Sequence, residues 1–196
     1  MQIYFLNING IAESQFEDWF AAMDAERRDE VSRTQNTQKR CLRIAADHLR
    51  RKAISDSCGI SPANITFGTA EKGKPFALNA DVHFSVSHSG ECVVCAVSDK
   101  EIGIDIEKIR DISLRAAEKF ASADELEYIK SCKNGFFEIW TLKEAYFKCI
   151  GTGLGSDIKK VTFRINQNNI RCSENGFECS FYTVADGYIC SVCQKV

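Results

Sequence analysis

Two short stretches constrain this chain most. Ile102-Gly103-Ile104-Asp105-Ile106-Glu107 alternates apolar residues with a glycine and two acids, which is the period of a strand. Trp140-Thr141-Leu142-Lys143-Glu144-Ala145-Tyr146-Phe147-Lys148 sets a carboxylate and two amines in a helix that is otherwise apolar nearly all round. A helix of that kind is buried. Buried charge is costly unless something pairs with it, so any fold must bring counter-charges to both stretches.

Asp105 and Glu107 are two apart on a strand, share a face and have α-carbons about 6.6 Å apart. Two carboxylates so close repel unless a cation sits between them or one stays protonated. Magnesium suits the place, because it takes one or two protein carboxylates and completes its shell with water and phosphate oxygens. The plainer alternative is a strand end that surfaces beside Lys108 and Arg110. In the helix, Trp140, Glu144 and Lys148 follow at i, i+4 and i+8 and line one face. An ordinary surface Glu–Lys pair has the same spacing, but the surrounding apolar residues argue for burial.

The chain has 196 residues, 44% of them hydrophobic and 27% charged, with a net charge of -2. That allows one large domain or two small lobes with a real core. Disordered and fibrous classes are excluded, and a nucleic-acid partner is disfavoured because such proteins carry basic surfaces. Met1–Leu6 is short and has no basic leader, so it reads as a strand and not a signal peptide. No apolar run approaches the roughly 18 residues of a membrane span. The expectation is a soluble, cytoplasmic protein with no membrane partner.

Cys92-x-x-Cys95 and Cys190-x-x-Cys193 resemble half-sites for zinc, but both lie in strand-like runs. Residues three apart on a strand face opposite ways, so neither pair chelates one ion. They read as small buried thiols in a reducing compartment.

Hydrophobic spacing predicts a strand at 2–8 and helices at 13–30 and 37–57, the latter ended by Gly59. Strands are expected at 64–67, 82–88, 91–98 and 101–107, then helices at 113–120, 123–132 and 136–149. Gly151, Gly153 and Gly155 break the chain before strands at 160–165, 178–184 and 187–194. Segregated runs of this kind indicate an α+β fold. Cys92–Val97 loosely resembles Ile189–Cys193, which suggests two similar α/β halves, residues 1–100 and 101–196, joined near Asp99–Gly103.

Gly68–Pro75 has nearly the spacing of an ATP phosphate loop. However, Pro75 stands where a magnesium-binding hydroxyl is needed, and no helix follows, so that reading fails. A Gly-Lys-Pro turn presenting Lys74 to an anion remains, against an ordinary solvated turn. His88 ends an alternating strand between the hydroxyls of Ser87 and Ser89, a place fit for phosphate. Without a Gly-x-Ser-x-Gly elbow, a serine-hydrolase reading is poor. Residues 27–52 hold nine Lys or Arg against three acids. This is either a solvated helix face or a dock for a terminal phosphate, which arginine grips with a two-pronged fork.

In order, Gly73-Lys74-Pro75, Ser87-His88-Ser89, Ile102–Glu107 and Trp140–Lys148 resemble the four motifs of the larger, surfactin-synthetase-activating type of 4′-phosphopantetheinyl transferase. The resemblance covers residues 73–148. It implies a monomer of two α/β halves related by a pseudo-twofold axis. It also implies transfer of phosphopantetheine from coenzyme A to a serine of an apo acyl or peptidyl carrier protein, with release of adenosine 3′,5′-bisphosphate. Carried over by position, Asp105, Glu107 and Glu144 would hold Mg2+, and Lys148 would neutralise the leaving phosphate. Glu144 or Glu107 would take the serine proton. Lys74, Pro75, Ser87 and His88 would contact coenzyme A, with Arg27, Arg40 and Arg43 as candidates for its 3′-phosphate. Two other readings compete: a magnesium-dependent nuclease, from the Asp105-x-Glu107-Lys108 echo, and a non-catalytic module that binds coenzyme A or a carrier protein.

Overall fold

The computed structural model describes residues 1–155, 157–167 and 169–196. The first half runs β1 (Gln2–Asn7), α1 (Glu13–Ala21), α2 (Ala25–Ser32), α3 (Thr37–Cys58), β2 (Phe67–Thr69), β3 (Pro75–Ala77), β4 (His83–Ser89) and β5 (Cys92–Ser98). The second runs β6 (Ile102–Lys108), α4 (Ala123–Ser131), α5 (Gly135–Ile150), β7 (Phe163–Asn166), β8 (Asn169–Cys172), β9 (Phe177–Tyr182) and β10 (Tyr188–Lys195).

Each half has an antiparallel sheet with its last strand in the middle, ordered β1-β5-β4 and β6-β10-β9. Each also places its long helix between the first strand and the closing hairpin. β5 and β10, whose sequences resemble each other, hold equivalent central positions, so the expected two-half α+β architecture is present.

Every residue of β5 is buried, and its pleat explains why. Val93, Cys95 and Val97 pack under α3 with Leu42, Ala45, Leu49 and Ala53. Cys92, Val94 and Ala96 point the other way, into a core shared with Ile102, Ile104 and Ile106 of β6 and with Cys190 and Val192 of β10. The isoleucine face of β6 thus joins the halves, leaving its Gly103-Asp105-Glu107 face beneath α5. Gly103 makes that approach possible: a Cβ there would lie 1.9 Å from the Ala145 carbonyl oxygen.

β4 runs beside β6 with serine hydroxyls bridging the two strands. Ser85 Oγ accepts from the Ile104 N–H (3.1 Å), Ser87 Oγ donates to Asp105 (2.6 Å), and Ser89 Oγ accepts from the Lys108 N–H (3.1 Å). Alternate side chains of one strand therefore satisfy the edge of its neighbour.

Several expectations need correction. The helix expected over 13–30 is two, broken at Ala22–Asp24. Met23 turns into the core there, and Arg28 donates to the carbonyls of Ala21 and Met23 that the break frees. The segment 113–120 is a 3-10 turn over Leu114–Lys119, not an α-helix. Instead of a strand at 64–67 there is a 3-10 turn at Pro62–Asn64 followed by the short β2, and β3 and β8 were not foreseen. Cys193 is not a free thiol: it pairs with Cys179, directly opposite on the neighbouring strand, in a disulfide. Cys92 and Cys95 do face opposite cores.

Lys143, fully buried, finds its partners away from the carboxylate face. Its amine pairs with Glu125 (3.0 Å) and donates to the carbonyls of Ile158 (2.8 Å) and Val161 (2.5 Å). Glu125 is equally occupied, accepting from the N–H groups of Ser122 and Phe163. A buried pair so fully satisfied is costly to break from one side, about 3–5 kcal/mol. Among the described residues, no helix is long and apolar enough to cross a membrane.

Candidate active site

α5 lies over β6 so that its half-buried stripe, Trp140, Glu144 and Lys148, follows the strand's polar face. Lys148 Nζ donates to Asp105 Oδ1 (2.6 Å) and to Ser87 Oγ (2.9 Å). Ser87 in turn donates to the same carboxylate oxygen. The other oxygen, Asp105 Oδ2, is buried with no hydrogen-bond partner among the described residues. Leaving a buried acceptor unpaired costs on the order of 1–3 kcal/mol. Burial pushes the Asp105 carboxyl up from the usual aspartate range; Lys148 and Ser87 oppose that rise, and Glu107 adds to it.

Glu107 accepts from Ser89 Oγ (2.7 Å) and from Arg110 (3.0 Å). Glu144 has no hydrogen-bond partner among the described residues. Its carboxyl is pushed up to about 7, first by burial and then by the charges of Asp105 and Glu107, with Lys148 opposing. The three acids named from sequence therefore share one field.

Among the described residues, no three His, Cys, Asp or Glu side chains are grouped tightly enough to cage an ion. Magnesium does not need an all-protein cage, since water and substrate phosphate complete its shell. A buried carboxylate oxygen without a partner, beside two more hard oxygen donors, is the donor set such an ion fits.

Next to the acids is a cavity of about 250 Å³ lined by the Lys72–Pro75 turn, by Phe84, Ser85 and Val86 of β4, by Glu144, Phe147 and Lys148 of α5, and by Gly151, Gly153 and Leu154. Pro75 and Lys74 are thus in its wall, but the Lys74 amine is turned away, donating to the carbonyls of Cys149 and Ile102. His88 is exposed near the end of β4. The packing around it holds its imidazole below the usual histidine range, and Lys148, Arg43 and Arg27 push it the same way. Lys148, Arg43 and Arg27 therefore lie close to His88, and of these four only Lys148 also lines the cavity. Arg27 and Arg43 both reach Glu30, and Arg43 also donates to Thr34 (2.8 Å). Arg27 Nε is buried without a hydrogen-bond partner among the described residues.

Arg40 does not join them. It lines a separate cleft of about 550 Å³ with Glu13, Phe16, Glu17, Phe20, Cys41 and Ile44. Lys108 is equally removed from the acids, since its amine is held by Glu91 at 2.8 Å. Sequence reading missed Ser85 and Ser89 as partners of β6; their signal is the alternation Ser85, Ser87, Ser89. Arg110, named from sequence as a neighbour of the strand end, does pair with Glu107 (3.0 Å), while the buried hydroxyl pair Thr141–Ser191 (2.6 Å), Ser191 lying opposite Asp105, was missed.

Three carboxylates and a lysine beside a cavity are groups of the kind that a phosphate ester and its cation engage. Comparison with known proteins gives the family. Residues 101–193 match the model of the 4′-phosphopantetheinyl transferase superfamily, and residues 11–100 match that of the 4′-phosphopantetheinyl transferase N-terminal region. A 4′-phosphopantetheinyl transferase of Bacillus subtilis is 32% identical over 98% of this chain and 92% of its own length. The 4′-phosphopantetheinyl transferase gsp of Aneurinibacillus migulanus is 34% identical over 94% of this chain and 81% of its own. The 4′-phosphopantetheinyl transferase Sfp of Bacillus subtilis strain 168 is 30% identical over 98% and 92%. The chain belongs to the 4′-phosphopantetheinyl transferase family.

Proposed function

We propose that this protein transfers the 4′-phosphopantetheine group of coenzyme A to a serine hydroxyl of an apo carrier protein and releases adenosine 3′,5′-bisphosphate. Residues 1–100 and 101–196 act as the two halves of one monomeric transferase unit. The observation that supports this reading is the buried carboxylate of Asp105, one oxygen of it without a hydrogen-bond partner among the described residues, with Glu144 and Glu107 beside it, next to a cavity that Glu144 and Lys148 line. A cytoplasmic setting suits the eight free cysteines, and the Cys179–Cys193 disulfide is the exception to it.

Coenzyme A would occupy the cavity between the Lys72–Pro75 turn and α5, its 3′-phosphate toward Arg27, Arg43 and His88. Asp105, Glu107 and Glu144 would hold Mg2+. When bound, that ion would supply charge neutralisation at the pyrophosphate. The serine oxygen forms a bond to the phosphorus bearing the pantetheine arm, and the bond from that phosphorus to the bridging oxygen breaks. The bridging oxygen leaves with the adenosine bisphosphate, and Lys148 stands where it can offset the charge that develops there. The serine proton passes to a carboxylate, Glu144 or Glu107, directly or through a water. Bond-making needs little covalent help, so positioning and charge carry the rate.

The reading is tested by intact-mass analysis of apo acyl and peptidyl carrier proteins incubated with coenzyme A, Mg2+ and this protein. One phosphopantetheine added per carrier is expected. Tight coenzyme A binding with no mass gain on any carrier would support a binding module instead, and cleavage of plasmid DNA a nuclease.

Two further results are expected. Replacing Arg27 and Arg43 together by Ala should raise the KM for coenzyme A about tenfold while leaving that for dephospho-coenzyme A nearly unchanged. Arg40→Ala should change neither, since Arg40 faces the other cleft. Equal effects on both substrates would remove the 3′-phosphate assignment.

Glu144 gives a pH-dependent stability result. Its carboxyl rises from 4.5 to about 7 on folding, so the fold prefers it protonated. That preference stabilises the metal-free protein below pH 4.5 and is lost as pH rises toward 7. Glu144→Gln should therefore raise Tm by about 2–4 °C at pH 8 in EDTA, change it little at pH 4, and abolish transfer. A Tm that falls at pH 8 would contradict the crowding of the three acids.

A further inference from the structure

The Gly73-Lys74-Pro75 turn places a lysine beside the coenzyme cavity, yet its amine points away from the open space. Lys74 Nζ donates to the Cys149 carbonyl at 2.7 Å and to the Ile102 carbonyl at 3.3 Å. Cys149 lies in the last turn of α5, where carbonyls have no partner within the helix and a cation meets the negative end of its dipole. Ile102 opens β6.

The stem of Lys74 lies against Gly151. A Cβ at that residue would stand 3.1 Å from Lys74 Cδ, and its φ of 71° already favours glycine. The lysine, the glycine and the helix end are therefore fitted to one another. Burial lowers the proton affinity of the amine, with Cys149 and Glu101 opposing.

The amine joins three segments that each carry a part of the site. The turn itself is one wall of the cavity. α5 carries Glu144 and Lys148, the latter immediately before Cys149. β6 carries Asp105, three residues after Ile102. Two of the three N–H groups of the ammonium are committed to these carbonyls.

We propose that Lys74 is a positioning residue. By bridging the carbonyls of Cys149 and Ile102, it sets the spacing of α5, β6 and the coenzyme-binding turn, and it acts on transfer through that spacing rather than by gripping a phosphate. This rests on the assignment of the cavity to coenzyme A made above.

The test compares wild type with Lys74→Met in ligand-free Tm and in the KM for coenzyme A and dephospho-coenzyme A, measured across ionic strength where the variant is folded. Lys74→Met is expected to lower the ligand-free Tm by about 5 °C. It should raise both KM values by the same factor, about tenfold, and leave the dependence of KM on salt as in wild type. Three results would overturn the proposal. One is a KM rise for coenzyme A alone, which marks a 3′-phosphate ligand. Another is an equal rise with unchanged Tm and a flattened salt dependence, which marks a pyrophosphate ligand. The third is a lowered Tm with both KM values unchanged, which marks a cap that serves only the fold. If the methionine variant does not fold, Lys74→Gln, which keeps a shorter donor, is read against the same outcomes. Failure of the wild type to modify any carrier would instead sink the transferase assignment.

Discussion

Asp105→Asn is expected to lower phosphopantetheine transfer by about 10³-fold while the protein stays folded. The carboxylate stands where β4, β6 and α5 meet, with one oxygen committed to Lys148 and Ser87 and the other buried with no hydrogen-bond partner among the described residues. Asparagine keeps the shape and one acceptor for Lys148, so the local packing survives. It removes the charge that a hard cation requires, and electrostatic losses of this kind in buried sites are worth several kcal/mol of barrier. The fold should lose little, because a desolvated carboxylate with an unpartnered oxygen contributes little to stability. Assays of initial rate beside a thermal melt check this. Transfer within tenfold of wild type would place the chemistry elsewhere.

Gly103→Ala should be the most damaging single-atom-group change in the protein, and its effect is on the fold. The added Cβ would lie 1.9 Å from the Ala145 carbonyl oxygen and 2.4 Å from the Cys149 nitrogen, both backbone atoms of α5. Neither can swing aside as a side-chain tip would. The helix must lift from β6, breaking the register between Glu144, Lys148 and Asp105. Overpacking usually costs about 1–3 kcal/mol, and backbone-on-backbone contact belongs at or above the top of that range. A Tm drop of about 10 °C or loss of soluble protein is expected. A Tm within 2 °C of wild type would mean that α5 is not seated on this glycine as described.

These two residues also show what sequence could and could not reveal. Asp105 was legible because alternation puts Asp105 and Glu107 on one strand face, and Glu144 and Lys148 were legible because helical spacing puts them on one stripe. The long elements α3, β5, β6 and α5 were legible for the same reason: their periodicity is strong. Gly103 was quoted in the motif, but its reason lies in a helix more than forty residues later, and no local pattern carries that. The break between α1 and α2 has no glycine or proline to mark it; it depends on Arg28 reaching back to free carbonyls. The Cys179–Cys193 pair depends on the register of β9 against β10. Arg40 and Arg43 look equivalent in sequence, yet the placement of α1 sends Arg40 to a different cleft. The serine bridges from β4 to β6 were half legible. Their alternation is plain in sequence, but the identity of the strand they face is set by how the two halves meet.

The central claim, that carboxylates from β6 and α5 hold one hard cation against the pyrophosphate of coenzyme A, is tested most directly by 31P NMR of coenzyme A bound to the protein with Mn2+ in place of Mg2+. The two pyrophosphate resonances should broaden strongly and the 3′-phosphate resonance much less, and Asp105→Asn should remove the difference. Equal broadening of all three phosphorus signals, or selective broadening that persists in the Asp105→Asn variant, would contradict it.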